Sequence, residues 1–142
     1  GRLIDNLRSR YDHVIIDMPQ AVVEWIAPVL ERTSKVILVS DMTLPSLKRS
    51  KRLLDLISEE HMTLPVQVVI NFEKKPMLQS AAHKEAAILI GQPLTHWIPA
   101  DTSAARRATD MGVPLVTGAR RSATTKAIAT LGAAVFKSSV KE

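Results

Sequence analysis

Runs of consecutive apolar residues alternate along this chain with segments whose apolar positions recur every three or four residues. The runs are Val14-Ile15-Ile16, Val36-Ile37-Leu38-Val39, Val68-Val69-Ile70 and, more briefly, Trp97-Ile98. An unbroken apolar run bounded by turn residues reads as a strand buried on both faces, as central parallel strands are. The pattern therefore predicts strands over 12–17, 35–40, 66–71 and 95–98. Between them, helical spacing predicts helices over 1–10 (Leu3, Ile4, Leu7), over 20–32 (Val22, Val23, Ile26, Val29, Leu30, with Pro28 as a kink) and over 44–60. In the last of these, Leu47, Leu54 and Ile57 form the apolar face and Leu53 and Leu56 widen it. Further helices are predicted over 77–90 (Ala81, Ala82, Ala86, Ile88, Leu89), over 103–111 and over 122–136 (Ala127, Ile128, Leu131, Val135). Gly91-Gln92-Pro93 and Gly112 supply the stops.

Strands that each lead into a helix imply right-handed βαβ crossovers. The expected fold is α/β: a three-layer, mostly parallel sheet of about four strands with helices on both faces. No repeat, low-complexity tract or linker divides the chain, so residues 1–142 read as a single domain.

Composition narrows the function classes. Hydrophobic content of 46% and charged content of 23% are those of an ordinary globular domain. Only 4% of residues are aromatic, so the core is aliphatic and no platform exists for stacking single-stranded bases. The chain has no cysteine, which excludes disulfides, thiolate catalysis and Cys-based zinc sites, and fits a cytoplasmic location. His13, His61, His83 and His96 show no metal-ligand spacing. No apolar run approaches the roughly 20 residues of a membrane span, and no signal peptide opens the chain, so a soluble protein is expected.

Net charge is +5, and from Asp101 onward seven basic residues face three acidic ones. Arg106, Arg107, Arg120 and Arg121 dominate that region, which would favour nucleotide phosphates, anionic lipid or nucleic acid, or form a solvated face. In the helix over 44–60, Lys48, Arg49, Lys51 and Arg52 crowd the N-terminal half while Glu59 and Glu60 end it. That order opposes the helix dipole and marks either a docking surface or a solvated face.

The first candidate for chemistry is Asp17, placed where the first predicted strand ends and followed by Met18-Pro19. Open α/β sheets bind ligands beyond the carboxyl ends of their strands, so this carboxylate stands where such a fold works. Asp17 could equally cap the helix that follows. Asn71 ends the third predicted strand, a position that asparagine also takes for purely local reasons.

The stretch Tyr11-Asp12-His13-Val14-Ile15-Ile16-Asp17-Met18-Pro19 resembles the Walker B segment of the MinD/ParA group of P-loop ATPases. Further likenesses follow in order: the run ending at Ser40 with a helix carrying Arg49, the strand ending in Asn71, Ile98-Pro99-Ala100-Asp101, Ala108, and Gly112-Val113-Pro114-Leu115. Within the group, the tryptophan after the Walker B proline, Trp25, and the general run are most similar to the CpaE/TadZ pilus-assembly ATPases.

The resemblance implies ATP and magnesium as cofactors. Asp17 would hold magnesium through water, a hard-cation role suited to carboxylate oxygen. Met18, Pro19 and Gln20 would sense the γ-phosphate. Asn71 would hydrogen-bond adenine, and Pro99 to Asp101 would wall the base pocket. It also implies a homodimer, pilus or secretion machinery as partners, and peripheral association with the membrane or cell pole. A non-catalytic scaffold with a degenerate nucleotide site and a ParA-like DNA-associated partitioning ATPase are the alternatives.

Two departures limit the likeness. Phe72 stands where the group usually has arginine. No Gly-x-x-x-x-Gly-Lys-[Ser/Thr] loop occurs, and the five glycines are too dispersed to cradle phosphates. Without that loop, phosphoryl transfer loses most of its electrostatic stabilisation, so the chain alone should not hydrolyse ATP and no residue is assigned a catalytic role. The expectation is a C-terminal portion of a longer ATPase domain. In the group, the P-loop strand lies between those matching 14–17 and 36–40. Without it, these two strands should pair directly, or the chain should dimerise.

Overall fold

The computed structural model describes residues 2–19 and 26–137. Among these, three strands form one parallel sheet in the order β1 (Val36–Ser40), β2 (Val66–Asn71), β3 (His96–Ile98). The register pairs Leu38 with Val68, Ser40 with Ile70, and Asn71 with Ile98. β2 is central, and its Val69 and Ile70 are wholly buried, as continuous β-branched residues between two layers should be. The fold class is the expected one, α/β with a parallel sheet and flanking helices.

One layer is built by α3 (Leu44–Glu60) and α4 (Ala81–Ile90). Leu47 and Leu54 of α3, Ala86 and Ile90 of α4, Val68 and Ile70 of β2, Leu94 and Trp97 share one apolar cluster. Trp97 meets its polar requirement inside that cluster by donating its indole N–H to the Leu94 carbonyl at 3.0 Å. The helix over 44–60 forms over its whole predicted length, and Leu47, Leu54 and Ile57 are the buried face. Lys48, Arg49 and Arg52 are exposed on it, and Lys51 pairs with Asp55 one turn on.

The opposite layer holds α5 (Thr102–Asp110), α6 (Leu115–Gly118) and α7 (Ala123–Lys137). Small residues bring these elements close: Ala104, Ala108 and Ala119 are buried, and a Cβ at Gly118 would lie 2.9 Å from Val113 Cγ2. Two short helices precede β1, α1 (Arg2–Arg8) and α2 (Ile26–Leu30), and Arg32 beyond α2 bonds Asp5 of α1 at 3.2 Å.

Expectations for four segments are revised. The helix predicted over 77–90 begins only at Ala81, because Ser80 caps it. The Ser80 hydroxyl accepts from the His83 amide, and the His83 ring accepts the Ser80 amide. Its buried stripe is Ala86 and Ile90, while Ile88, Ala81 and Ala82 are exposed.

The helix predicted over 1–10 stops at Arg8 and buries none of its residues. Of the helix predicted over 20–32, residues 20–25, with Val22, Val23 and Trp25, lie outside the described residues, and within the remainder the helix spans Ile26–Leu30.

The largest difference concerns 12–17, which is not a strand. Ile15 is 81% exposed, and no strand pairs with the segment among the described residues. A strand exists only through a neighbour that satisfies its backbone groups. Among the described residues β1, the partner expected for this segment, pairs with β2 alone, so the direct pairing expected between 14–17 and 36–40 does not form.

Candidate functional site

The carboxyl ends of the three strands bring together most of the polar residues singled out by the sequence. β1 ends at Ser40, and Asp41 follows it directly. The Asp41 carboxylate accepts the Thr43 amide at 2.8 Å and the Thr43 hydroxyl at 2.5 Å. The Ser46 hydroxyl takes the Asp41 amide at 3.2 Å and lies 3.1 Å from the Ser40 hydroxyl. The Thr43 hydroxyl and amide hold the Asp41 carboxyl below its usual range, with Ser46 and the positive charge of Arg49 adding to them. This cluster ties the end of β1 to the start of α3.

β2 ends at Asn71, whose side-chain oxygen accepts the Phe72 amide at 3.0 Å. Phe72 is held at φ 66, a left-handed conformation rarely taken by a bulky residue, and it is 68% exposed. The Glu73 amide then donates to the Ile98 carbonyl at 3.2 Å, which locks the loop after β2 against the end of β3.

β3 leads into buried Pro99, whose carbonyl accepts the Thr124 hydroxyl at 2.6 Å. Asp101 caps α5, accepting the Ala104 amide at 2.9 Å and the Ser103 hydroxyl at 3.0 Å. The Ala104 amide, then Ser103, and lastly the nearby Arg107 hold its carboxyl below the usual range. A cleft of about 530 Å³ runs from Asp101 past Arg107 to Arg120 and Arg121.

Because Asn71 stands opposite Ile98 in the ladder, Asn71, Pro99 and Asp101 gather at one end of two adjacent strands. Asp17 and Pro19 are not joined to them: both are exposed, and no hydrogen bond or ion pair fixes Asp17 among the described residues. Met18 is half-buried beside them, and Gln20 lies outside the described residues. Among the described residues no group of three or more His, Asp or Glu is arranged to hold a metal ion.

Sequence reasoning did not assign roles to Asp41, Thr43 and Ser46, although the polar cluster after the strand repeats the signal noted at Asp17. Nothing in the sequence marks Thr124 as the partner of Pro99, since the contact spans 25 residues.

The three-stranded sheet and its flanking helices define an open parallel α/β domain. A solved structure of a ParA family ATPase from Chlorobium tepidum TLS matches it with a TM-score of 0.79 and 27% sequence identity. The match covers 89% of this chain and 51% of that one, so this chain spans about half the length of that protein. No protein-family profile matches the chain, and no curated protein does. The structural match supports the MinD/ParA superfamily of P-loop ATPases. No helix among the described residues is long and apolar enough to cross a membrane.

Proposed function

We propose that this chain is the C-terminal part of a MinD/ParA-type ATP-binding domain and supplies the base-binding side of its nucleotide site. The observation that carries the reading is the register of Asn71 against Ile98, by which Asn71 ends its strand at the same end of the sheet from which Pro99 and Asp101 follow. Among the described residues nothing accepts from the Asn71 side-chain NH2, and its oxygen keeps a second lone pair after accepting from Phe72, so it can match an adenine edge. Pro99 is a rigid, buried wall, and Asp101 is held ionised at the start of α5.

Asp17 and Pro19 would complete the magnesium and γ-phosphate side once a strand bearing a phosphate-binding loop lies between 14–17 and β1. That magnesium would neutralise charge on the β- and γ-phosphates. Positioning by nucleotide-dependent dimerisation, with recruitment of pilus or secretion machinery as in CpaE/TadZ proteins, is the role we assign to the complete protein. The cleft of Arg107, Arg120 and Arg121 favours a second reading, ParA-like association with DNA, which predicts retention on DNA that weakens steeply with salt.

The deciding experiment is titration of a fluorescent ATP analogue into the complete protein with and without magnesium. Asn71→Ala should weaken binding about tenfold, the loss of one well-placed hydrogen-bonding group. Asp17→Ala should remove the magnesium dependence. Unchanged binding in both variants would overturn the assignment.

A further inference from the structure

The outer edge of β3 forms one wall of a groove of about 330 Å³. Thr95 and Trp97 contribute the edge, Ala127 and Leu131 of α7 the facing wall, and Lys74 and Lys75 one end. β3 pairs with β2 only, so among the described residues its other side has no strand neighbour. The direction of its backbone follows from one bond. The Ile98 carbonyl points toward the β2 side of the sheet, where it accepts the amide of Glu73 in the loop that follows β2. Backbone groups alternate along a strand, so the amide and carbonyl of Trp97 point the other way, into the groove. The Pro99 carbonyl points outward too, and there it is taken by the Thr124 hydroxyl.

An exposed strand edge facing a helix across a narrow groove is the arrangement that binds extended peptides by strand addition. The small side chain of Ala127 leaves depth for alternate side chains of such a peptide. Two adjacent lysines at the end near Ile98 set its charge. Both are exposed, and neither forms an ion pair among the described residues. We infer that this groove is a docking site for an extended acidic peptide of a partner protein, which adds as a strand to the edge of β3 and places carboxylates against Lys74 and Lys75. The groove shares Pro99 with the strand ends that carry Asn71 and Asp101, but its binding wall is the outer edge of β3, and the inference does not depend on nucleotide binding.

The test uses a fluorescein-labelled hexapeptide of alternating valine and glutamate, with binding followed by anisotropy on the whole chain. The peptide should bind, and hydrogen–deuterium exchange should slow at 95–99 and along α7. Lys74→Glu with Lys75→Glu should weaken binding at least tenfold, as should Ala127→Gln, which fills the groove. The same peptide methylated on alternate backbone nitrogens should not bind, because it cannot complete the ladder. Any of four results would overturn the inference: no binding at about millimolar peptide, equal binding of a valine–lysine peptide, protection at β1 instead of β3, or protection of 95–99 by self-association of the protein alone.

Discussion

The Thr124 hydroxyl donates to the Pro99 carbonyl at 2.6 Å, in a buried contact that pins the start of α7 to the end of β3. It fixes the loop that carries Asp101, and it satisfies a carbonyl that water cannot reach. Thr124→Val keeps the shape but orphans that oxygen, at a cost of about 1–3 kcal/mol. Urea denaturation should show the loss as a lower midpoint with an unchanged slope. Thr124→Ser, which keeps the donor, should recover most of it.

Phe72 holds a left-handed backbone conformation with its ring largely in solvent, so it carries strain that packing does not offset. Asparagine tolerates this conformation far better and loses less backbone entropy on folding than glycine. Phe72→Asn should therefore stabilise the fold by about 1 kcal/mol. Thermal unfolding measures this directly, and a lowered melting temperature would mean that the ring makes a contact worth more than the strain.

Asp41 and Asp101 are both held below their ordinary pKa of 3.8 by hydrogen bonds to the ends of α3 and α5. In the unfolded chain they take up protons first as pH falls, so the unfolded state binds more protons in that range. Their contribution is complete above about pH 4 and is lost as pH drops through the lowered folded values. Urea midpoints measured downward from neutral pH should fall through this window. Asp41→Asn with Asp101→Asn, which keeps a capping oxygen but does not titrate, should flatten the fall.

The elements that were legible in the sequence are those whose stability is local or whose pattern is long. α3 runs over its predicted residues because 17 positions repeat one apolar stripe, and β2 does so because its β-branched run ends at a clear polar stop. The segment 14–17 carries an equally strong strand pattern and yet forms none. Pattern records a preference for burial, whereas a strand also needs a partner. Met77 and Leu78 read as helix by hydrophobicity, but the reciprocal hydrogen bonds of Ser80 and His83 set the true start. At the site, Asn71, Pro99 and Asp101 were grouped through the resemblance to MinD/ParA ATPases, and the register of Asn71 against Ile98 puts them at one end of adjacent strands. The left-handed Phe72 and the bond from Thr124 depend on tertiary placement and left no local signal.

The free edge of β1 carries the last prediction. Leu38 and Ser40 face α3, so Ile37 and Val39 face the other way, where they are 42% and 57% exposed. Among the described residues nothing pairs with the outer side of this strand, and no charge interrupts Val36–Ser40. An apolar strand edge without a charge or bulge to guard it is a template for pairing with another chain. The 142 residues should therefore self-associate as concentration rises, and light scattering after size exclusion should detect it. Val39→Lys places a charge on the edge and should shift the population toward monomer, whereas Ile88→Lys, an equally exposed apolar site on α4, should not. In the complete ATPase that we propose, a central strand fills the same edge, so there Val39→Lys should reduce folding and nucleotide binding together. Self-association that ignores Val39→Lys would place the contact elsewhere and leave β1 without a role in assembly.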